Sequence, residues 1–366
     1  MTDAVIGEWQ ARIRSAAAAK SPLRLRGGGS KDFYGGAPVG DMLDTRACAG
    51  IVDYDPTELV ITARAGTPLA EIEDTLRTAG QMLAFEPPHF GAGEGAAATF
   101  GGCIAAGLSG PRRPHGGAAR DLVLGVRVLD GKGDDLTFGG RVMKNVAGFD
   151  VPRLMTGALG TLGVLVEISV KCQPCPKLET TRVFECSAVD DIRLSNEWAR
   201  QPLPISATCH HAGLLSVRLS GAAPAVKAAL ASLGGEPLVD AEAGDAFWRG
   251  VRDHTHPYFA AAIAAGTPLW RLSVKSTAPH ADVDGEQLIE WGGALRWLHG
   301  GAGTDPARLR AWAQQHGGHA MLFRAGAATA DPFHPMSATM TALHGRLKAV
   351  FDPAGIFNRG RLHPSF

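Results

Sequence analysis

Leu23-Arg24-Leu25-Arg26-Gly27-Gly28-Gly29-Ser30-Lys31-Asp32-Phe33-Tyr34-Gly35-Gly36 is the stretch on which the fold turns. Its first four residues alternate as a short strand, and the strand breaks at Gly27-Gly28-Gly29-Ser30. Residues without side chains turn successive N–H groups toward one point. Such a nest binds a pyrophosphate without desolvating a side chain. Arg26 stands at its entrance. Taken alone, the run is equally an ordinary flexible turn.

Upstream, residues 1–20 read as an Ala-rich helix with no apolar core behind a basic start, so no signal peptide is expected. Downstream, Gly50–Tyr54 and Leu59–Arg64 read as strands. Gly66-Thr67-Pro68 predicts a helix over 68–79, with Thr67 as its N-cap and Pro68 at its first position. Leu69, Ile72 and Leu76 fall on one face, and Gly80 ends it.

Two more glycine segments follow. Residues 86–117 are dominated by Gly, Ala and Pro, and so long a loop in a compact domain signals function. Within it, Thr99, Gly101, Gly102, Gly107, Ser109 and Gly110 let backbone lie against a flat ring system. A predicted helix over 151–156 leads into Gly157, Gly160, Thr161 and Gly163, which enter a strand at 164–171 and present a hydroxyl and backbone amides at its start. Each segment alone is equally a packing device. Gly91-Ala-Gly93-Glu-Gly95-Ala96 fits GxGxxA. It follows Pro87-Pro88-His89-Phe90 rather than a buried strand, which excludes a Rossmann site.

The 366 residues suggest two domains. Lys plus Arg equals Asp plus Glu at 36 each, which gives no support to a nucleic-acid binder. No stretch approaches 18 uninterrupted apolar residues, so no membrane span is predicted. Six scattered Cys read as free thiols. Cys172 and Cys175 form one CxxC, half of a metal or redox site with no second half, so no metal is expected. Beyond about residue 178, strand candidates alternate with helices at 191–200, 222–233, 244–250 and 305–316, which suggests a second α/β or α+β domain. Trp291 and Trp297 read as its packing residues. The His pairs at 210/211, 254/256 and 316/319 lack helical ligand spacing and read as surface or satisfied core groups. A last helix, about 336–350, sets Met340, Leu343, Leu347 and Val350 at helical spacing.

Together the three glycine segments resemble the FAD-binding PCMH-type (vanillyl-alcohol-oxidase-like) flavoproteins. RGGGS at 26–30 matches the diphosphate loop. TFGGCIAAGLSGPRRPHGG with Asp121 matches the second FAD segment, and GFDVPRLMTGALGTLGVL at 148–165, through Val164, matches the third. FDPAGIFNRG at 351–360, with Asn358, is similar to the terminal signature. AAGLSGPRRP, VMKNVAGFDV, FWRGVRDHTHP and LHGRLKAVFDPAGIFN resemble the FAD-binding subunits of bacterial glycolate oxidases.

The resemblance implies an α+β fold. A PCMH-type two-subdomain FAD-binding domain spans 1–175, an α/β cap spans 176–335, and a C-terminal helix and tail, 336–366, return to the FAD domain. It implies FAD, a small 2-hydroxy acid oxidised at its hydroxyl carbon, a larger FAD-linked partner subunit and an iron–sulfur subunit. It also implies a cytoplasmic location, peripheral to the inner membrane through partners. Ser30-Lys31-Asp32 stands where many members carry a flavin-linking His, so the FAD is expected to be non-covalent. The relatives' His-x-Gly-Asp-Gly-Asn-x-His motif is missing, Leu159 replaces a Glu, and Arg359 replaces a Pro. Two readings therefore remain: a subunit that oxidises glycolate, or an idle relay or structural subunit beside a partner flavoprotein. For the first, Lys144 or Arg324 is the candidate cation for the substrate carboxylate and His256 the candidate base.

Overall fold

The strand Val164–Lys171 is buried along nearly its whole length because both of its faces are covered. In this computed structural model, which describes residues 2–91, 97–140, 148–238, 241–301, 303–326 and 328–366, the strand is the centre of a five-stranded antiparallel sheet. The order is Ile51–Asp55, Val60–Arg64, Val164–Lys171, Val123–Leu129, Asp135–Gly139. Leu165, Ile168 and Val170 enter one core with Leu69, Ile72 and Leu76 of the helix Leu69–Thr78 and Phe100 and Ile104 of the helix Phe100–Ala106. Val164 and Val166 enter another with Ile6, Trp9 and Ile13 of the helix Thr2–Ala19 and Ile356 and Phe357 of the C-terminal tail.

Strict alternation would not send 164 and 168 to different cores. A bulge does: Arg127 pairs with Glu167 but Val128 pairs with Leu165, so Val166 is the extra residue and the pleat switches faces there. The Val166 carbonyl, freed from the ladder, accepts from Ala65 N at 2.8 Å.

The predicted helix start is corrected. The helix begins at Leu69, with Pro68 as a cap that makes no side-chain bond. The Thr67 hydroxyl is wholly buried and tied to Gly50, accepting from its N–H at 2.9 Å and donating to its carbonyl at 3.2 Å. A buried hydroxyl held on both its donor and an acceptor side by Gly50 is turned away from the helix amides.

Two compact units result: residues 1–109, 118–175 and 335–366, and residues 110–117 with 176–334. The second is built on an eight-stranded sheet, antiparallel throughout. The order is Glu236–Pro237, Leu178–Glu185, Leu214–Gly221, Ile205–His211, Glu286–Glu290, Leu295–His299, Leu269–Ser273, His319–Arg324. Val226 and Ala229 of the helix Ala223–Leu233 pack on Leu215, Val217 and Leu219, and Leu309 and Ala313 of the helix Pro306–Gln315 pack on Trp270, Leu272 and Leu322. Trp291 and Trp297 are buried, as expected. Among the described residues no helix is long and apolar enough to cross a membrane.

In the first unit, the C-terminal helix Ala338–Phe351 departs from its pattern. Met340, Leu343 and Val350 are exposed and Lys348 is the buried residue. The Lys348 ammonium donates to Asp352 Oδ2 at 2.7 Å, Thr161 O at 2.7 Å and Phe357 O at 2.8 Å. A complete set of three acceptors is what makes burial of this charge tolerable.

Candidate functional site: a glycine-walled cleft

The strand Leu23–Arg26 pairs in parallel with Asp41–Asp44 and hands the chain to the first glycine loop. Gly29 has φ +78°, a conformation that favours glycine, and a Cβ there would lie 2.1 Å from the Arg26 guanidinium. At Gly28 a Cβ would lie 1.5 Å from the Ala97 carbonyl oxygen, and at Gly27 2.3 Å from Thr99 Oγ1. The loop is therefore flush against residues 97–99, with no room for any side chain between them. Arg26 Nε donates to Asp32 Oδ2 at 2.7 Å, and Arg24 reaches the same oxygen at 3.4 Å. Ser30 is buried, and its Oγ accepts from Lys31 Nζ at 3.3 Å.

Thr99 caps the helix Phe100–Ala106, its Oγ1 accepting from Gly102 N at 3.2 Å. Gly107 closes that helix in the left-handed region, and a Cβ on it would lie 2.8 Å from Gly157 Cα. The second and third glycine segments are thus in direct contact. Gly157 N donates to Ile104 O at 3.0 Å and Leu159 N to Ala105 O at 2.8 Å.

The tail completes the wall. Asn358 Oδ1 accepts from Leu25 N at 2.8 Å, and its Nδ2 donates to Leu159 O at 2.6 Å. One side chain, 333 positions after Leu25 in the sequence, thereby joins the first strand to the third glycine segment.

Between these segments lie two adjoining hollows of about 530 and 630 Å³. They share Leu25, Arg26, Gly27, Gly102, Ala105, Leu159 and Asn358, so they form one continuous cleft. One half is apolar and small-walled, with Ala65, Gly101, Met155, Ala158, Gly160, Leu162, Gly163 and Val164. The other holds the glycine loop through Ser30, Thr99 and four cations, Arg24, Arg26, Lys31 and Arg361, against the single carboxylate of Asp32. A flat aromatic body with an anionic stem suits these two halves.

Residues 5–139 match the model of an FAD binding domain. Over 96% of its length the chain is 47% identical to glycolate oxidase subunit GlcE of Escherichia coli (strain K12), covering 95% of that protein. The chain belongs to the GlcE family. Against glycolate oxidase subunit GlcD of Bacillus subtilis (strain 168) it is 32% identical over 44% of its length and 33% of the GlcD chain. Among solved structures, an alkyldihydroxyacetonephosphate synthase superposes with a TM-score of 0.64 at 15% identity, covering 96% of this chain and 74% of that one, which shows a shared fold.

The cleft of this GlcE-family chain fits FAD. The loop has no room for a Cβ at Gly27, Gly28 or Gly29, so it presents bare backbone, and four cations stand around it, as a diphosphate requires. Of the predicted cofactor residues, the structure brings to the cleft Arg26, Gly27, Gly28, Gly29, Ser30, Thr99, Gly101, Gly102, Gly160, Gly163, Val164 and Asn358. The rest do not line it. Gly107 and Gly157 make the contact described above. The Thr161 hydroxyl is spent on Ala158 O at 2.7 Å. Ser109 Oγ accepts from Ala119 N at 3.1 Å, and Asp121 accepts from Ala118 N at 3.1 Å. Gly110 lies in the second unit, where its carbonyl accepts from Trp291 Nε1 at 3.2 Å. Sequence reasoning missed Arg361, Leu25, Ala65 and Ala105, whose residue types carry no signal.

His256 and Arg324 lie in the second unit, and Lys144 lies outside the described residues, as do all but the first residue of the GxGxxA segment. His256 is the N-cap of the helix Pro257–Ala265, its Nδ1 accepting from Tyr258 N at 3.3 Å. Its ring meets His211 and Phe247 edge-on. Burial, then the neighbouring His211, pushes it down to about 4. Burial pushes the Arg324 guanidinium down to about 10. His254 is wholly enclosed, stacked on Phe259 at 3.9 Å, and held well below the usual range by burial. Among the described residues no cluster of three or more His, Cys, Asp or Glu is placed to hold a metal ion.

Proposed function

We propose that this chain is the FAD-carrying subunit of a complex that oxidises glycolate, or a closely similar 2-hydroxy acid, to the 2-oxo acid. The observation that carries the reading is the cleft: three glycine segments and the tail enclose one FAD-shaped space, in a chain alike over its whole length to a glycolate oxidase subunit. Bound FAD supplies the acceptor for the two electrons that leave the hydroxyl-bearing carbon. The chain's residues hold the diphosphate at the cationic half, cover the ring at the apolar half and exclude water with Leu25, Ala65, Met155 and Leu162. The partners are a larger flavoprotein subunit and an iron–sulfur subunit that takes the electrons onward.

The decisive experiment uses the purified chain under anaerobic conditions. Loss of the flavin's visible absorbance on adding glycolate assigns oxidation to this subunit. A yellow protein that does not bleach, alone or with its partners, supports the relay reading. A colourless one overturns oxidation and relay alike and supports a purely structural subunit.

The linkage of the flavin is non-covalent in this proposal. No His stands in residues 26–32, and burial raises the Cys103 thiol, on the helix beside the cleft, to about 12, so it is no thiolate. Acid precipitation is expected to leave all flavin in the supernatant. Flavin retained in the pellet overturns this.

His256 is proposed as the base for the substrate hydroxyl, with Arg324 or Lys144 as the carboxylate's cation. A base acts deprotonated, and this ring protonates only as pH falls through about 4. In the complex, His256→Ala is expected to lower turnover about 10²-fold, and the wild-type kcat/KM profile should lose activity only near pH 4. Unchanged turnover leaves His256 as the cap of its helix.

A further inference from the structure

We propose that Arg361, carried in by the C-terminal tail, is the positioning residue that makes this cleft select a flavin bearing a diphosphate. The inference rests on the reading of the cleft as an FAD site. The Arg361 guanidinium donates to three backbone carbonyls of the stretch that continues the glycine loop: Lys31 O at 3.0 Å, Asp32 O at 3.2 Å and Gly36 O at 2.9 Å. Its own carbonyl accepts from Gly36 N at 2.8 Å. A Cβ on Gly36 would lie 2.1 Å from the Gly360 carbonyl oxygen, so tail and loop are in backbone contact. Lys31, Asp32 and Gly36 are thereby fixed by one side chain, and Gly27–Ser30, immediately before them, is held between that anchor and residues 97–99.

The charge of Arg361 points to an anion in the cleft. The residue is only 9% exposed, yet among the described residues no carboxylate lies within ion-pair distance of it. Burial pushes its guanidinium below the ordinary range, and Asp32 offsets this from a distance. Asp32 is engaged by Arg26 and Arg24. Lys348 shows the contrast: it too is buried in the same unit, but Asp352 sits 2.7 Å away. Carbonyls satisfy the Arg361 donors without neutralising the charge, and a buried cation without an ion partner is costly. Arg361 lines the cleft beside the glycine loop, and a diphosphate is the anion that fits there.

The test compares FAD with riboflavin, which has the same ring and no diphosphate. Each is titrated by flavin fluorescence into the full chain stripped of flavin, as wild type, R361Q and R361K, with a thermal melt of each. R361Q is expected to weaken FAD by about 10- to 100-fold, the range for losing charge-assisted hydrogen bonds, and to leave riboflavin within about 3-fold. R361K keeps the charge and loses the three-carbonyl grip. It should fall between wild type and R361Q for FAD and match wild type for riboflavin. Equal weakening of both flavins, in R361Q or in R361K where R361Q does not fold, overturns the proposal and makes Arg361 a wall of the cleft. Unchanged FAD affinity overturns it as well. A wild-type chain that binds neither flavin overturns the FAD reading itself, a result separate from either.

Discussion

Gly28→Val is expected to abolish flavin retention, with an affinity loss of more than about 10³-fold. The first carbon of any side chain at 28 would stand 1.5 Å from the Ala97 carbonyl oxygen. That neighbour is backbone, so no rotamer change relieves the clash, and the loop must lift away from residues 97–99. The N–H groups of Gly27–Ser30 then no longer converge on a diphosphate. Gly160→Val is milder at first contact. Its Cβ meets the Asn358 amide at 2.8 Å, a side chain that can turn, although φ +70° strains any branched residue there. Gly345→Ala is the control. Nothing lies within 4 Å of that helical position, and the change should stabilise by about 0.5–1 kcal/mol. The ratio of flavin to protein absorbance after gel filtration, with circular dichroism for the fold, reads all three. Stoichiometric FAD in Gly28→Val would remove the loop from the site.

Asp352→Ala is expected to destabilise the first unit by about 3–5 kcal/mol, the usual cost of orphaning one member of a buried ion pair. The Asp352 carboxylate is fully enclosed and accepts from Lys348 Nζ, Ile356 N and Phe357 N. Its loss strands one ammonium and two amides at once. For a unit of this size the melting temperature should fall by roughly 10 °C. Lys348→Met removes the cation but leaves the carboxylate its two amide donors, so it should cost less than Asp352→Ala. Equal or reversed costs would mean that the tail is not hung from Asp352.

Periodicity made the regular elements legible, and chemistry made the three glycine segments legible. The strand 164–171 follows from its β-branched, apolar run, and the helix Leu69–Thr78 from the 3.6-residue spacing of Leu69, Ile72 and Leu76. What stayed hidden depends on partners far away in sequence. The bulge at Val166 shows only in the register against Arg127 and Val128. Glu286–Glu290 is a strand because Leu295–His299 and Ile205–His211 flank it, and its own sequence does not alternate cleanly. Met340, Leu343 and Val350 of the predicted stripe point the wrong way, because three acceptors at Asp352, Thr161 and Phe357 draw Lys348 inward instead. The Lys–Asp spacing of four was the available clue. In the cleft, glycines announce themselves, whereas Leu25, Ala65 and Arg361 are ordinary residues made functional by position.

The contact between Leu23 and Phe357, with Asn358 bridging Leu25 to Leu159, has a consequence for biosynthesis. During translation the first glycine loop emerges before the second unit, and its supports at 358 and 361 only after it. A nascent chain can form the helix Thr2–Ala19 and the hairpin of Val123–Leu129 with Asp135–Gly139 on the ribosome, since those pairings are local. It cannot close a flavin site. Closure of the cleft therefore waits for residues 358–361, and a chain cut before residue 358 is expected to lose the bridge between Leu25 and Leu159 that Asn358 supplies.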